Sequence, residues 1–254
     1  MGSMNTLESK PNTTYSGRYK CDTPPIFKRR NKKSNSTQSI PPDIPYKLSQ
    51  DTNQLTESET VKNTFIYDWD DTLICTSYFK KNDIFTDNFL LTTSDKKHLN
   101  NLEKKVYNLL KLSIENGTTY IITNSADGWI EWSVEKFYPS IYPLLNKIII
   151  KSARSLYEKK YPGNLKKWKI QTFLDLEQEL NTGFNNIICL GDSEQEIDAC
   201  YLLATRLENC IHKTVKLRSD PKPEDLNKQL NIILDRFMYI LNSKKNLTIV
   251  VEKE

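Results

Sequence analysis

From residue 64 onward, short and almost wholly apolar runs alternate with stretches of helical periodicity, and this alternation constrains the architecture more than any other feature of the chain. TFIYD (64–68), TYIITNS (119–125), KIIIKSA (147–153) and NIICLGDS (186–193) are too short for helices and rich in β-branched and aromatic residues, so they read as buried strands. TVKLRS (214–219) is a fifth candidate. In HLNNLEKKVYNLLKLSIENG (98–117), Leu99, Leu102, Val106, Leu109 and Leu110 recur at helical spacing, and Gly117 is placed to act as a C-cap. DGWIEWSVEKF (127–137) reads as a short helix stopped by Pro139. LKKWKIQTFLDLEQEL (165–180), EQEIDACYLLATRL (194–207) and PEDLNKQLNIILDRFMYIL (223–241) read as further helices, the last with Pro223 near its first position. Strands alternating with helices of this length imply βαβ units, hence an α/β fold with a parallel sheet covered on both faces.

The first sixty residues have a different composition. They are rich in Ser, Thr, Asn, Pro and Lys, show no apolar periodicity and contain the breaker clusters DTPPIF and IPPDIP. A stretch that buries so little apolar surface does not offset its ordering entropy, so residues 1–60 are expected to be a disordered tail and 61–254 a single domain. The tail is also basic: residues 1–47 carry nine Lys or Arg against Glu8, Asp22 and Asp43, while the whole chain is only +4. The domain itself is therefore slightly acidic, which argues against nucleic acid as its partner and for a tail that seeks anionic surfaces. Five cysteines form no CxxC pair and there are only two histidines, which disfavours a zinc site. With no signal-peptide core and no apolar run near 18 residues, an intracellular, cytoplasmic setting is expected.

In open parallel sheets, chemistry collects beyond the carboxyl ends of the strands, near the point where strand order reverses. Polar residues fall there in this chain: Asp68 and Asp70 follow FIY, Thr123 and Asn124 follow YII, and Asp192 follows IICLG. Lys169, near the start of the helix before the fourth strand, is placed to project toward the same crevice, in competition with Lys166 and Lys167. Carboxylates and a lysine brought together in a nearly neutral domain call for a cation, and an oxygen-only ligand set selects a hard one, Mg2+ above all. The inferred chemistry is phosphoryl transfer, with Thr123 and Lys169 suited to phosphate oxygens. Asp71 is expected to serve the local turn, Trp69 to pack beneath the strand end, and Cys75 to be an inert small hydrophobe. Trp129, Trp132 and Phe137 are expected in the core, with a recognition rim as the alternative.

This array resembles the haloacid dehalogenase superfamily, in its aspartate-nucleophile phosphatase branch. The D-x-D-x-T motif after a hydrophobic strand matches Asp68, Asp70 and Thr72; a Thr ending an apolar strand matches Thr123; a Lys about two dozen residues before the last motif matches Lys169; and GDxxxE matches GDSEQE, with Asp192 and Glu196. The resemblance spans residues 64 to roughly 240 and implies a Rossmann-like three-layer α/β/α fold. It further implies that Asp68 attacks phosphorus to form an aspartyl-phosphate and that Asp70 protonates the leaving oxygen and then activates water. Mg2+ would be held by Asp68, the Asp70 backbone carbonyl, Asp192 and Glu196, and phosphate by Thr123, Asn124 and Lys169.

Family members commonly carry a cap domain, for which residues 73–97 and 126–146 leave little room. A capless crevice suits a phosphate on a large body, such as a phosphoprotein side chain. The alternatives are a catalytically weak phosphate-binding or scaffold protein tethered by its tail, and a phosphotransferase. MGSMNT matches the N-myristoylation pattern at Gly2, and Lys28, Arg29, Arg30, Lys32 and Lys33 follow, which together would form a two-signal membrane anchor; a cloning scar, a nuclear-import signal or a solvated tail would read the same way.

Overall fold

The computed structural model describes residues 15–20, 61–82, 84, 91–180 and 183–253. Its strands are β1 (Tyr15–Lys20), β2 (Lys62–Tyr67), β3 (Thr118–Thr123), β4 (Ile149–Ser152), β5 (Asn185–Gly191), β6 (Cys210–Lys216) and β7 (Leu247–Lys253). They form one sheet in the order β1-β7-β6-β5-β2-β3-β4. The six strands from β7 to β4 run parallel, and β1 pairs antiparallel on the outer side of β7. From β2 the chain builds outward through β3 to β4, then returns to lay β5, β6 and β7 on the other side. Strand order thus reverses around β2 and β5, whose carboxyl ends open the crevice that such a sheet offers to ligands.

The helices are α1 (Thr76–Lys81), α2 (Thr93–Asn116), α3 (Trp129–Phe137), α4 (Ala153–Tyr157), α5 (Leu165–Leu174), α6 (Glu177–Leu180), α7 (Glu194–Ala204) and α8 (Pro223–Asn242), with a 3-10 helix at Pro139–Lys147. They divide between two cores, as the period-2 alternation of a strand requires. Phe65 and Tyr67 of β2 face a cluster with residues of α2, α3 and α8, while Ile66 faces a second cluster with residues of α5 and α7. The result is the three-layer Rossmann-like α/β/α arrangement. Leu99, Leu102, Val106, Leu109 and Leu110 of α2 are all buried, so one stripe of the helix meets the sheet as its spacing predicts. Between β2 and β3, and between β3 and β4, the described residues hold only helices and no inserted domain. No helix among the described residues is long and apolar enough to cross a membrane.

The structure departs from the sequence expectations at particular points. The tail expected over residues 1–60 is corrected at Tyr15–Lys20, which joins the sheet: Tyr15 pairs with Lys253 and Lys20 with Thr248. Backbone N–H and C=O groups on the open edge of β7 supply the attraction, and such pairing makes no demand for an apolar run in its partner. Gly2 and the basic cluster at 28–33 lie outside the described residues. β6 begins at Cys210, four residues before the expected start, because Cys210–Lys213 pairs with Asn185–Ile188 despite its weak apolar pattern. The helix expected over 165–180 divides after Leu174; Leu176 N–H turns back to Phe173 C=O at 3.0 Å, and both Leu176 and Leu180 are then buried. Gly117 closes α2 in extended backbone, not as a left-handed cap, and is needed for contact: a Cβ there would lie 2.2 Å from the carbonyl oxygen of Asn63.

Lys213 of β6 joins the sheet to α8 in the helix layer above it. Its ammonium is fully buried and donates to the Leu241 carbonyl at 2.8 Å, near the end of α8, where Asn186 Nδ2 also donates at 3.0 Å. Helix carbonyls at this end have no partner in the helix, so the two side chains dock α8 onto β5 and β6. Burial pushes the Lys213 amine down from 10.5 to about 8. A depressed lysine binds fewer protons in the folded chain than in the unfolded one between those values, so its contribution to stability rises with pH across that window. Chemical unfolding of wild type and Lys213→Met should therefore give a stability difference that is flat below pH 7 and shifts toward wild type by about 2–3 kcal/mol between pH 8 and 10.5. A difference that stays flat throughout would show that this amine is not desolvated.

Candidate functional site

β2 delivers Asp68 to the crevice, its N–H still in register with the Leu190 carbonyl at 2.9 Å. The chain then folds tightly: the Trp69 carbonyl accepts from Leu73 N–H at 2.9 Å and Ile74 N–H at 3.2 Å, and Asp71 takes φ 56°. Asp tolerates this left-handed conformation better than most side chains. The Asp71 carboxylate accepts from Ser77 N–H at 2.9 Å and from the Ser77 hydroxyl, so it braces the turn against the first residues of α1. Trp69 is completely buried, donates from Nε1 to Ser133 Oγ at 3.0 Å and meets Tyr138 edge-on. Thr72 is buried in the same turn, and its hydroxyl has no hydrogen-bond partner among the described residues. Cys75 is fully buried, and burial pushes its thiol well above the usual range, as an inert residue requires.

Lys169 of α5 crosses to the Asp68 side of the crevice. Its Nζ is 2.7 Å from Asp68 Oδ1, 2.6 Å from the Ile122 carbonyl of β3 and 3.2 Å from Glu196 Oε1, with the side chain 1% exposed. Its competitors stay outside: Lys166 pairs with Asp198, and Lys167 lies over the Tyr161 ring. Burial alone would lower the Lys169 ammonium, but Asp68 and Glu196 raise it above its ordinary value, so it stays charged. Asp192 follows β5 and is fixed through its backbone carbonyl, which accepts from Ser219 Oγ at 2.5 Å and Lys216 Nζ at 3.3 Å. Glu196 sits at the third position of α7, where Oε2 accepts from Ser193 N–H at 3.2 Å and Ser193 Oγ at 2.5 Å in a capping box. Gly191 makes room for it, since a Cβ there would lie 2.6 Å from Glu196 Cβ and Cγ.

Carboxylate oxygens of Asp68, Asp192 and Glu196 therefore lie within 4.8 Å of one another. One lysine does not neutralise three acids. Burial, followed by the charge of Glu196, pushes Asp192 up to about 7, and burial with the charges of Glu196, Asp70 and Asp192 raises Asp68 despite Lys169. An all-oxygen set with surplus buried negative charge fits a hard divalent cation.

Asp70 is held differently. Oδ1 accepts from Thr76 Oγ1 at 2.6 Å and Trp129 Nε1 at 3.0 Å; Oδ2 accepts from Ser125 Oγ at 2.8 Å and Thr123 Oγ1 at 3.1 Å. The Thr123 oxygen itself accepts from Ser125 N–H at 2.9 Å, so it links Asp70 to the backbone after β3. Neighbouring Asn124 donates from Nδ2 to Gln195 at 3.3 Å, and its buried Oδ1 has no partner among the described residues. The expectation that Trp129, Trp132 and Phe137 all enter the core is corrected: Phe137 does, Trp132 is 41% exposed, and half-buried Trp129 touches Asp70. Thr76 and Ser125 carry no spacing signature that marks them as site residues, and the sequence offers Trp129 for a recognition rim but not as a partner of Asp70.

Of the expected residues, Asp68, Asp192 and Glu196 thus cluster, with Lys169 on Asp68 and Glu196, and Thr123 bonds to Asp70, while Asn124 pairs with Gln195 instead. No family model, curated protein or solved structure matches the chain.

Replacing Lys169 leaves buried carboxylates without their cation. Lys169→Met is expected to lower stability by about 3–5 kcal/mol in urea unfolding at neutral pH with chelator present. A loss below about 1 kcal/mol would mean that the acids do not depend on it.

Proposed function

We propose that the chain is a Mg2+-dependent phosphomonoester hydrolase of the haloacid dehalogenase type, working through an aspartyl-phosphate on Asp68. The observation that carries this reading is the convergence of Asp68, Asp192 and Glu196 within 4.8 Å beside a separately hydrogen-bonded Asp70. Asp68, Asp192 and Glu196, with the Asp70 backbone carbonyl, would hold the metal. When bound, Mg2+ supplies positive charge to a phosphate oxygen and offsets the repulsion among the carboxylates.

The chain's own groups divide the remaining work. Asp68 is the nucleophile, held in place by Lys169, whose retained charge also favours the approach of an anionic phosphate. As the bond from Asp68 to phosphorus forms and the ester bond breaks, Asp70 gives a proton to the departing oxygen, and the resulting carboxylate then takes one from the attacking water. A module that only binds phosphate has no need of a second carboxyl held by four donors. The absence of an inserted domain between β2 and β4 among the described residues supports a large substrate, such as a phosphorylated protein side chain.

Hydrolysis of 4-nitrophenyl phosphate should require Mg2+ and fall more than about 10³-fold in Asp68→Asn. A wild type inactive with Mg2+, or an equally active variant, would sink the mechanism. The metal site has its own readout in thermal unfolding. Mg2+ at about 100 times its dissociation constant should stabilise wild type by about 2.7 kcal/mol. Asp192→Asn should lose that gain while being no less stable than wild type in chelator, because it removes one of three crowded charges. An Asp192→Asn variant still stabilised by Mg2+ to the same degree would remove this residue from the ligand set.

A further inference from the structure

Asp70 owes its orientation to neutral donors, and one of them differs in kind. The hydroxyls of Thr76, Thr123 and Ser125 can donate or accept, so they can re-pair when the carboxyl gains a proton. The indole N–H of Trp129 only donates. The Asp70 Oδ1 facing it at 3.0 Å therefore has to remain an acceptor, in the acid and in the carboxylate alike, for the contact to persist. The ring is itself held: it stacks on Trp132 with centroids 5.3 Å apart and planes 23° from parallel, and Lys136 Nζ lies 4.9 Å from the Trp132 centroid. It comes from α3, an element separate from the turn that carries Asp70.

We infer that Trp129 is a positioning residue, whose indole N–H fixes the plane of the Asp70 carboxyl so that its other oxygen, Oδ2, passes the proton to the leaving group. This rests on the hydrolase reading above. An Asp68 carboxylate oxygen bonds to phosphorus as the ester P–O bond breaks, that bond's electron pair stays with the leaving oxygen, which takes the proton from Asp70, and the products are an alcohol or phenol and the acyl phosphate of Asp68. A carboxyl free to turn would meet the departing oxygen less often in the required geometry.

Such a role makes the cost depend on the leaving group. A good leaving group needs little protonation, a poor one much. The test compares kcat/KM, which reports on the steps up to leaving-group departure, for 4-nitrophenyl phosphate and phenyl phosphate with Mg2+ present. In Trp129→Phe, the first should fall less than about threefold and the second about tenfold or more, with Asp70→Asn showing the same bias more strongly. Should Trp129→Phe fold poorly, replacement of the indole by its benzothiophene isostere removes only the N–H and should reproduce the bias. Equal losses on the two esters, or no loss, overturn the inference while leaving the hydrolase intact. A wild type that hydrolyses neither ester, or whose activity survives in Asp68→Asn, overturns both.

Discussion

The buried ammonium of Lys169 is the contact on which the rest of the crevice depends. It reaches from α5 to the end of β2, the end of β3 and the start of α7, and so ties together four elements that are far apart in the chain. A buried ion pair is a poor source of net stability, because desolvation consumes most of the attraction. Its effect here is arrangement: the carboxylates repel one another, and a cation with three acceptors fixes where each can sit. The strand order serves the same end, since placing β2 between β3 and β5 brings all three acceptors within the span of one lysine side chain.

The opening of α7 shows how one residue meets two demands. Glu196 caps the helix through one oxygen and faces Lys169 through the other. The S-x-x-E spacing of Ser193 and Glu196 is that of an ordinary helix start, so its chemistry is hidden within a folding signal. Any shift of this helix end displaces a member of the acidic cluster, and Gly191 keeps the approach open.

Much of this was legible in the sequence because a buried parallel strand is nearly all apolar, so the first polar residue after it marks the sheet's functional edge. Asp68, Thr123 and Asp192 were found in that way, and Leu99, Leu102, Val106, Leu109 and Leu110 by helical period. What escaped depends on backbone or on distance in the chain. Tyr15–Lys20 lacks an apolar pattern because it enters the sheet through ladder hydrogen bonds, and β7, also unforeseen, provides the edge. Gly117 caps α2 as its place in the sequence suggests, yet the need for glycine there comes from Asn63, more than fifty positions earlier. The donors around Asp70 come from three segments, and no local spacing announces that they converge.

The β1 and β7 pairing also bears on how the molecule is made. Tyr15 is the first of the described residues and Lys253 the last, so β1 waits for all the other described elements before its partner strand exists. Closing so long a loop is slow, though its entropy grows only logarithmically with length. During that interval β7 presents an unsatisfied row of amides and carbonyls to any other extended strand. Chain order thus leaves the β7 edge open to mispairing until β1, the earliest of the described strands, covers it.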